Sequence, residues 1–96
     1  MFEIRETPQF SKWLERLRDQ RAEKRIVMRI RRLSLGLPGD VRALGSGVWE
    51  LRIHYGPGYR VYFTRLGPTI VLLLIGGDKR TQDRDIARAV EVAKSL

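Results

Sequence analysis

Two alternating stretches, Trp49 to Tyr55 and Tyr59 to Arg65, flank Gly56-Pro57-Gly58, and this arrangement constrains the chain more than any other. Large apolar side chains hold one parity: Trp49, Leu51, Ile53 and Tyr55 before the turn, Tyr59, Val61 and Phe63 after it. Arg52, His54, Arg60 and Tyr62 hold the other. A period of two marks strands with one buried and one wet face. A three-residue loop would set Tyr55 against Tyr59, His54 against Arg60 and Arg52 against Tyr62, because directly opposed residues share a face. An even-length loop would set His54 and Arg52 against apolar partners, so the hydrophobic pattern selects an odd length. The expected product is an exposed cluster of two arginines, a histidine and a tyrosine. Such a surface attracts anions and carries one group that titrates near neutrality.

The flanking sequence supplies the remaining elements. Phe2-Glu3-Ile4-Arg5 alternates and predicts a short strand, and Thr7-Pro8 supplies an N-cap followed by proline at the first helical position. Phe10, Trp13, Leu14 and Leu17 recur at helical spacing and predict an amphipathic helix ending near Gln20. Ala22, Ile26, Ile30, Leu33 and Leu37 trace a second, stopped by Gly36 and Pro38-Gly39. The two helices are expected to form an antiparallel hairpin. Asp40 to Leu44 predicts a short strand, with Gly45-Ser46-Gly47 turning into the alternating pair. Ile70 to Ile75 lacks alternation and predicts an interior strand covered on both faces, ended by Gly76-Gly77. The last helix starts near Thr81, with Asp83 and Asp85 in its first turn. Its narrow apolar stripe, Ile86, Ala89, Val90 and Ala93, would face either the sheet or another protein.

Ninety-six residues fit one domain, 1–96, of α+β class. The absence of cysteine rules out disulfide and thiolate chemistry, and a single histidine rules out a metal site built from several imidazoles. No apolar run reaches membrane-spanning length, so a soluble cytoplasmic protein without a membrane partner is expected. Lys and Arg number 19 against 11 acids, a net charge of +8, which favours a polyanionic or acidic partner. Most of the excess is arginine, the residue suited to forked phosphate contacts, so a polyanion is favoured. Nine bases and three acids lie between Lys12 and Arg32, which makes Arg29 and Arg32 candidates for substrate contact. Lys79 and Arg80 follow the interior strand, where functional groups commonly gather. No phosphate-binding glycine loop and no paired carboxylate site is present. Catalysis run by basic groups fits one reaction of a polyanion: attack of an RNA 2′-hydroxyl on its neighbouring phosphate, with arginines stabilising the developing charge.

The order of strand, two helices, antiparallel strands and final helix resembles the RelE/ParE superfamily of toxins from bacterial toxin-antitoxin modules. Val48-Trp49-Glu50-Leu51-Arg52 and Gly58-Tyr59-Arg60-Val61-Tyr62-Phe63 carry the resemblance. Leu74-Ile75-Gly76-Gly77-Asp78-Lys79 and Gln82-Asp83-Arg84-Asp85-Ile86-Ala87-Arg88-Ala89 are similar to the HigB-like, phage-derived addiction-module branch. The resemblance spans essentially the whole chain. It implies an N-terminal strand and helical hairpin packed on a mainly antiparallel sheet, and a ribosome-dependent mRNA endonuclease that uses no cofactor. The implied partners are ribosome, mRNA and a cognate antitoxin, a small helix-turn-helix protein of HigA-like type. Carried over by position, Arg52 and His54 match the family's first basic positions, Arg60 the arginine of the next strand, and Lys79 or Arg80 the basic residue after the last. His54 is then the general base, kept neutral by Arg60 beside it, and Tyr62 a substrate contact. RelE-like nucleases often carry a C-terminal tyrosine, and related HigB toxins an acidic or aromatic group there. This chain has no Tyr or His beyond Tyr62, so Tyr62, His54 or Lys79 would take that role. Two other readings share the pattern: a ParE-like inhibitor of DNA gyrase with no RNA chemistry, and a nucleic-acid-binding module without catalysis.

Overall fold

A computed structural model describes all residues, 1–96. The chain runs β1 (Glu3–Glu6), α1 (Pro8–Glu15), α2 (Gln20–Ser34), β2 (Val41–Gly45), β3 (Val48–Ile53), β4 (Tyr59–Leu66), β5 (Ile70–Asp78), a 3-10 turn (Lys79–Thr81) and α3 (Gln82–Lys94). The five strands form one sheet in the order β1-β5-β4-β3-β2. Only β1 and β5 are parallel; the other neighbours are antiparallel. This is the expected α+β architecture.

Local signals fix the helix starts. The Thr7 hydroxyl accepts from Phe10 N–H at 3.0 Å and donates to the Leu74 carbonyl at 2.7 Å, so one residue caps α1 and ties it to β5. α1 ends at Glu15, short of Gln20, because Asp19 caps α2, accepting from Arg21 and Ala22 N–H at 2.9 and 3.2 Å. α2 ends at Ser34, and Gly36 adopts φ +80°, which leaves Leu37 off the apolar face and exposed.

Both helices lie on one face of the sheet, α1 over β5 and α2 over β3. Phe10, Ala22, Ile26 and Leu33 meet Leu51, Ile53, Val61, Phe63, Val71 and Leu73 there. Trp49 and Phe63, directly opposed in the ladder, stack with ring centroids 5.9 Å apart. The other face carries a second core of Val48, Tyr62, Leu72, Leu74, Ile75 and Ala89, with Ile86, Val90 and Ala93 packed against it. The α3 stripe therefore faces the sheet. Because α3 covers this face, the second parity of the hairpin is not wet. Glu50, Arg60 and Tyr62 are buried, and the expectation of an exposed cluster is corrected.

The hairpin register also differs from the one expected. Arg52 opposes Arg60, Ile53 opposes Tyr59 and Glu50 opposes Tyr62, so the ladder closes after Ile53 and residues 54–58 form the connection. The shift is two residues, which preserves face parity and hence the hydrophobic pattern that selected it. His54 and Tyr55 leave the ladder. Tyr55 docks on the start of α2, donating to Asp19 at 3.0 Å with the Arg25 guanidinium 4.7 Å above its ring.

β5 is covered on both faces, as expected, but continues through Gly76-Gly77 to Asp78. A Cβ on Gly76 would lie 2.1 Å from the Trp13 ring, and one on Gly77 2.0 Å from the Asp85 carboxylate. These glycines let α1 and α3 close onto the strand from opposite sides; they do not end it. Gly76→Ala forces Trp13 from its seat, an overpacking that costs about 1–3 kcal/mol. Urea denaturation checks this: the midpoint of the variant falls, and an unchanged midpoint contradicts the packing described.

Candidate functional site

The carboxyl end of β5 meets the β3–β4 connection, and a hydrogen bond fixes the meeting. Lys79 N–H donates to the Gly58 carbonyl at 2.9 Å. Gly58 has φ +83°, and a Cβ there would sit 3.5 Å from both Arg60 Nη1 and Lys79 Cβ, so the turn passes closely between the two cations. The result is a shallow cleft of about 570 Å³ whose lining includes Arg42, Arg52, His54, Arg60, Lys79 and Gln82. Four of the expected site residues, Arg52, His54, Arg60 and Lys79, therefore share one depression.

Arg52 and His54 are held by a residue that sequence reasoning passed over. Asp40 Oδ1 accepts from Arg52 Nε and Nη2 at 3.0 and 2.8 Å, and Oδ2 accepts from His54 Nε2–H. These bonds, Arg52 first, hold the Asp40 carboxyl below the usual carboxylate range. Asp40 lies 12 and 14 residues from its partners. Only the folding of β2 onto β3 brings it near, and no sequence spacing reveals that. The neighbour of His54 is thus an anion, in place of the arginine expected. With Nε2 turned to Asp40, Nδ1 is the ring nitrogen left without a hydrogen-bond partner, and the side chain is 68% exposed.

Arg60 enters the cleft from a buried base. Its side chain is 7% exposed, with Nη1 donating to the Tyr59 carbonyl at 3.2 Å and Nε 3.9 Å from Glu50 Oε2. Glu50 is fully buried; Oε2 accepts from Gln82 Nε2 at 2.8 Å, and Oε1 lies 3.4 Å from Arg42 Nη2. A carboxylate contacted by Arg42, Arg60 and Gln82 thus lies buried beneath the lining of the site. Two of its neighbouring polar atoms, Arg60 Nε and the Tyr62 hydroxyl, have no hydrogen-bond partner, nor has Glu50 Oε1. Burial first, and then the Glu50 charge, push the Tyr62 phenol well above its ordinary value.

The other expected residues lie outside the cleft. Tyr62 is fully buried beneath α3 and does not line it. Arg80 is tied to Asp78, donating from Nε at 3.2 Å and Nη2 at 2.9 Å, and borders an adjoining hollow over the 3-10 turn. Arg29 gives Nη1 to the Arg52 carbonyl at 2.7 Å and Nη2 to the Pro38 and Asp40 carbonyls at 3.0 and 3.3 Å, so it clamps α2 to the strands. Arg32 is exposed in a neighbouring basic groove on α2, which meets the cleft at His54. Lys79 differs from the other three cleft residues: its side chain is exposed and makes no ion pair.

The fold and cleft define a small α+β domain with a cationic depression beyond the end of its central strand. The chain matches the phage-derived protein Gp49-like family (DUF891) over residues 12–95 and belongs to it. It is similar to an uncharacterized protein of Haemophilus influenzae, 45% identical over 94 residues that cover 98% of this chain and 95% of that protein. No helix is long and apolar enough to cross a membrane.

Tyr62 makes the buried polar layer beneath α3 testable. The folded state keeps a phenolic proton that an unfolded chain loses above pH about 10, so stability is present below that pH and falls as pH rises through it. Phenolate absorbance during alkaline titration should show Tyr62 ionising last of the three tyrosines, only as the protein unfolds. Tyr62→Phe removes this source of the alkaline loss. A normal titration of all three tyrosines contradicts the buried assignment.

Proposed function

We propose that this protein is the toxin of a type II toxin-antitoxin module and acts as a ribosome-dependent mRNA endoribonuclease of RelE/HigB type. The observation that carries the reading is the gathering of Arg52, His54, Arg60 and Lys79 around one open cleft. The association of the Gp49-like family with toxin-antitoxin modules supports the class.

In the proposed reaction the 2′-oxygen of a ribose attacks the adjacent phosphorus while the bond to the 5′-oxygen breaks. The products are a 2′,3′-cyclic phosphate and a 5′-hydroxyl. His54 Nδ1 accepts the 2′-hydroxyl proton, with Asp40 orienting the ring through Nε2. Arg60 and Arg52 face the phosphate oxygens, where they stabilise the charge that grows in the transition state. The Lys79 ammonium, free of acid partners, supplies the proton the departing 5′-oxygen needs. Tyr62 is excluded from that role by its burial. The partners are ribosome and mRNA, with a small helix-turn-helix antitoxin of HigA-like type opposing the toxin.

A gyrase inhibitor of ParE type is the second reading. Its support is the buried Glu50, which offsets Arg60, the central cation of the cleft. Purified protein separates the two. With translating ribosomes, His54→Ala should slow mRNA cleavage by about 10²–10⁴-fold and Lys79→Ala by about 10²–10³-fold, while both variants keep the wild-type circular dichroism. Undiminished cleavage in either variant would sink the assigned roles. Inhibition of DNA supercoiling with translated mRNA left intact would favour the gyrase reading.

A further inference from the structure

A second cationic feature lies away from the cleft, between α1 and α3. A groove of about 350 Å³ is rimmed by Lys12 and Arg16 from α1 and its C-cap and by Arg84 and Arg88 from α3, with Trp13 and Gly76 among its lining. Each pair is spaced by four, so its members share a helix face, and like charges so placed repel. Lys12, Arg16 and Arg88 form no ion pair, not even with Glu15 or Glu91 on the same helices. Arg84 comes no closer than 3.8 Å to Asp85, the one acid in the lining. That acid is buried and its Oδ2 accepts from the Thr81 hydroxyl at 2.6 Å. Three of the four rim cations are therefore uncompensated, and the fourth, Arg84, meets only the buried Asp85.

The groove is continuous with the cleft. Arg84 also borders the hollow over the 3-10 turn, and Lys79 and Gln82 border both that hollow and the cleft. One path lined mainly by cations, with Asp83 its exposed acid and Arg80 already paired with Asp78, thus runs from His54, around the start of α3, to the α1–α3 groove.

We propose that this path is a track for single-stranded RNA, in which the α1–α3 groove holds backbone phosphates of the same strand whose reacting phosphate occupies the cleft. The proposal extends the nuclease reading by placing the remainder of its substrate. A polymer of evenly spaced phosphates needs only repeated cations along a path. A docked peptide needs apolar pockets for anchoring side chains, and this groove offers little of that kind. Its two hydrophobic lining residues are Trp13 and Ile75, and the Trp13 ring is already packed against Gly76, Phe10 and Tyr59. Three of the four rim cations are arginines, suited to forked phosphate contacts.

Fluorescein-labelled, 2′-O-methylated oligoribonucleotides of about 4 and about 12 nucleotides, lengths within the range of single-strand sites, test the track by titration over a range of salt. The triple variant Lys12→Gln/Arg16→Gln/Arg88→Gln should bind the longer oligomer about tenfold or more weakly, and the slope of log affinity against log salt should shrink by about 2. The shorter oligomer, which fits the cleft alone, should lose far less. Lys12→Arg/Arg16→Lys/Arg88→Lys should retain the wild-type salt slope, which separates charge from folding. Unchanged affinity and slope in the triple variant overturn the track, as does weakened binding to poly-glutamate with RNA binding intact. If wild-type protein leaves translated mRNA whole yet grips the longer oligomer through these cations, the nuclease reading fails and the track stands. If cleavage proceeds and the cations do not matter, the reverse holds.

Discussion

The close approach of two helices to the glycine pair of β5 governs the rest of the architecture. Trp13 rests on Gly76 from one side and Asp85 crosses Gly77 from the other, at distances no larger residue would permit. Because both layers close at the end of β5, the chain leaves the sheet already flanked by α1 and α3. Lys79 emerges at that point and bonds to the Gly58 carbonyl, which sets the edge of the cleft. The α1–α3 groove exists for the same reason, since Gly76 lies in its lining. Packing in the core and placement of surface cations are thus one arrangement.

Charge is distributed unevenly over these cations. Arg52 is paired with Asp40, Arg80 with Asp78, and Arg60 approaches buried Glu50. These three are oriented by acids and lose part of their field to them. Lys79 and the groove cations Lys12, Arg16 and Arg88 have no such partners. Oriented arginines suit the reacting phosphate, where geometry matters. Uncompensated cations suit backbone contacts, where attraction matters and position matters less. Both kinds of cation lie along the same path.

Much of the fold was legible in the sequence, because its signals are local. The Thr7-Pro8 cap, the α2 stripe and the unbroken apolar run of β5 each depend on neighbours a few residues apart. Hairpin parity was legible for the same reason, whereas register was not: a shift of two residues leaves every side chain on its face. What alternation could not reveal was a second cover. A polar parity reads as solvent-facing until α3 is placed over it, and this turns Glu50, Arg60 and Tyr62 from surface residues into a buried polar layer. The gathering of Arg52, His54, Arg60 and Lys79 was read partly from resemblance and partly from strand order. Asp40 was invisible, because its role depends on β2 folding back onto β3.

Transesterification of translated mRNA is the activity proposed for the cleft. Its most direct test is mapping the ends of cellular transcripts after brief expression of the wild-type chain. Discrete cuts within translated codons are expected, leaving a 2′,3′-cyclic phosphate upstream and a 5′-hydroxyl downstream, and absent with His54→Ala. Growth arrest with intact transcripts, or with cuts bearing 5′-phosphates, would contradict it.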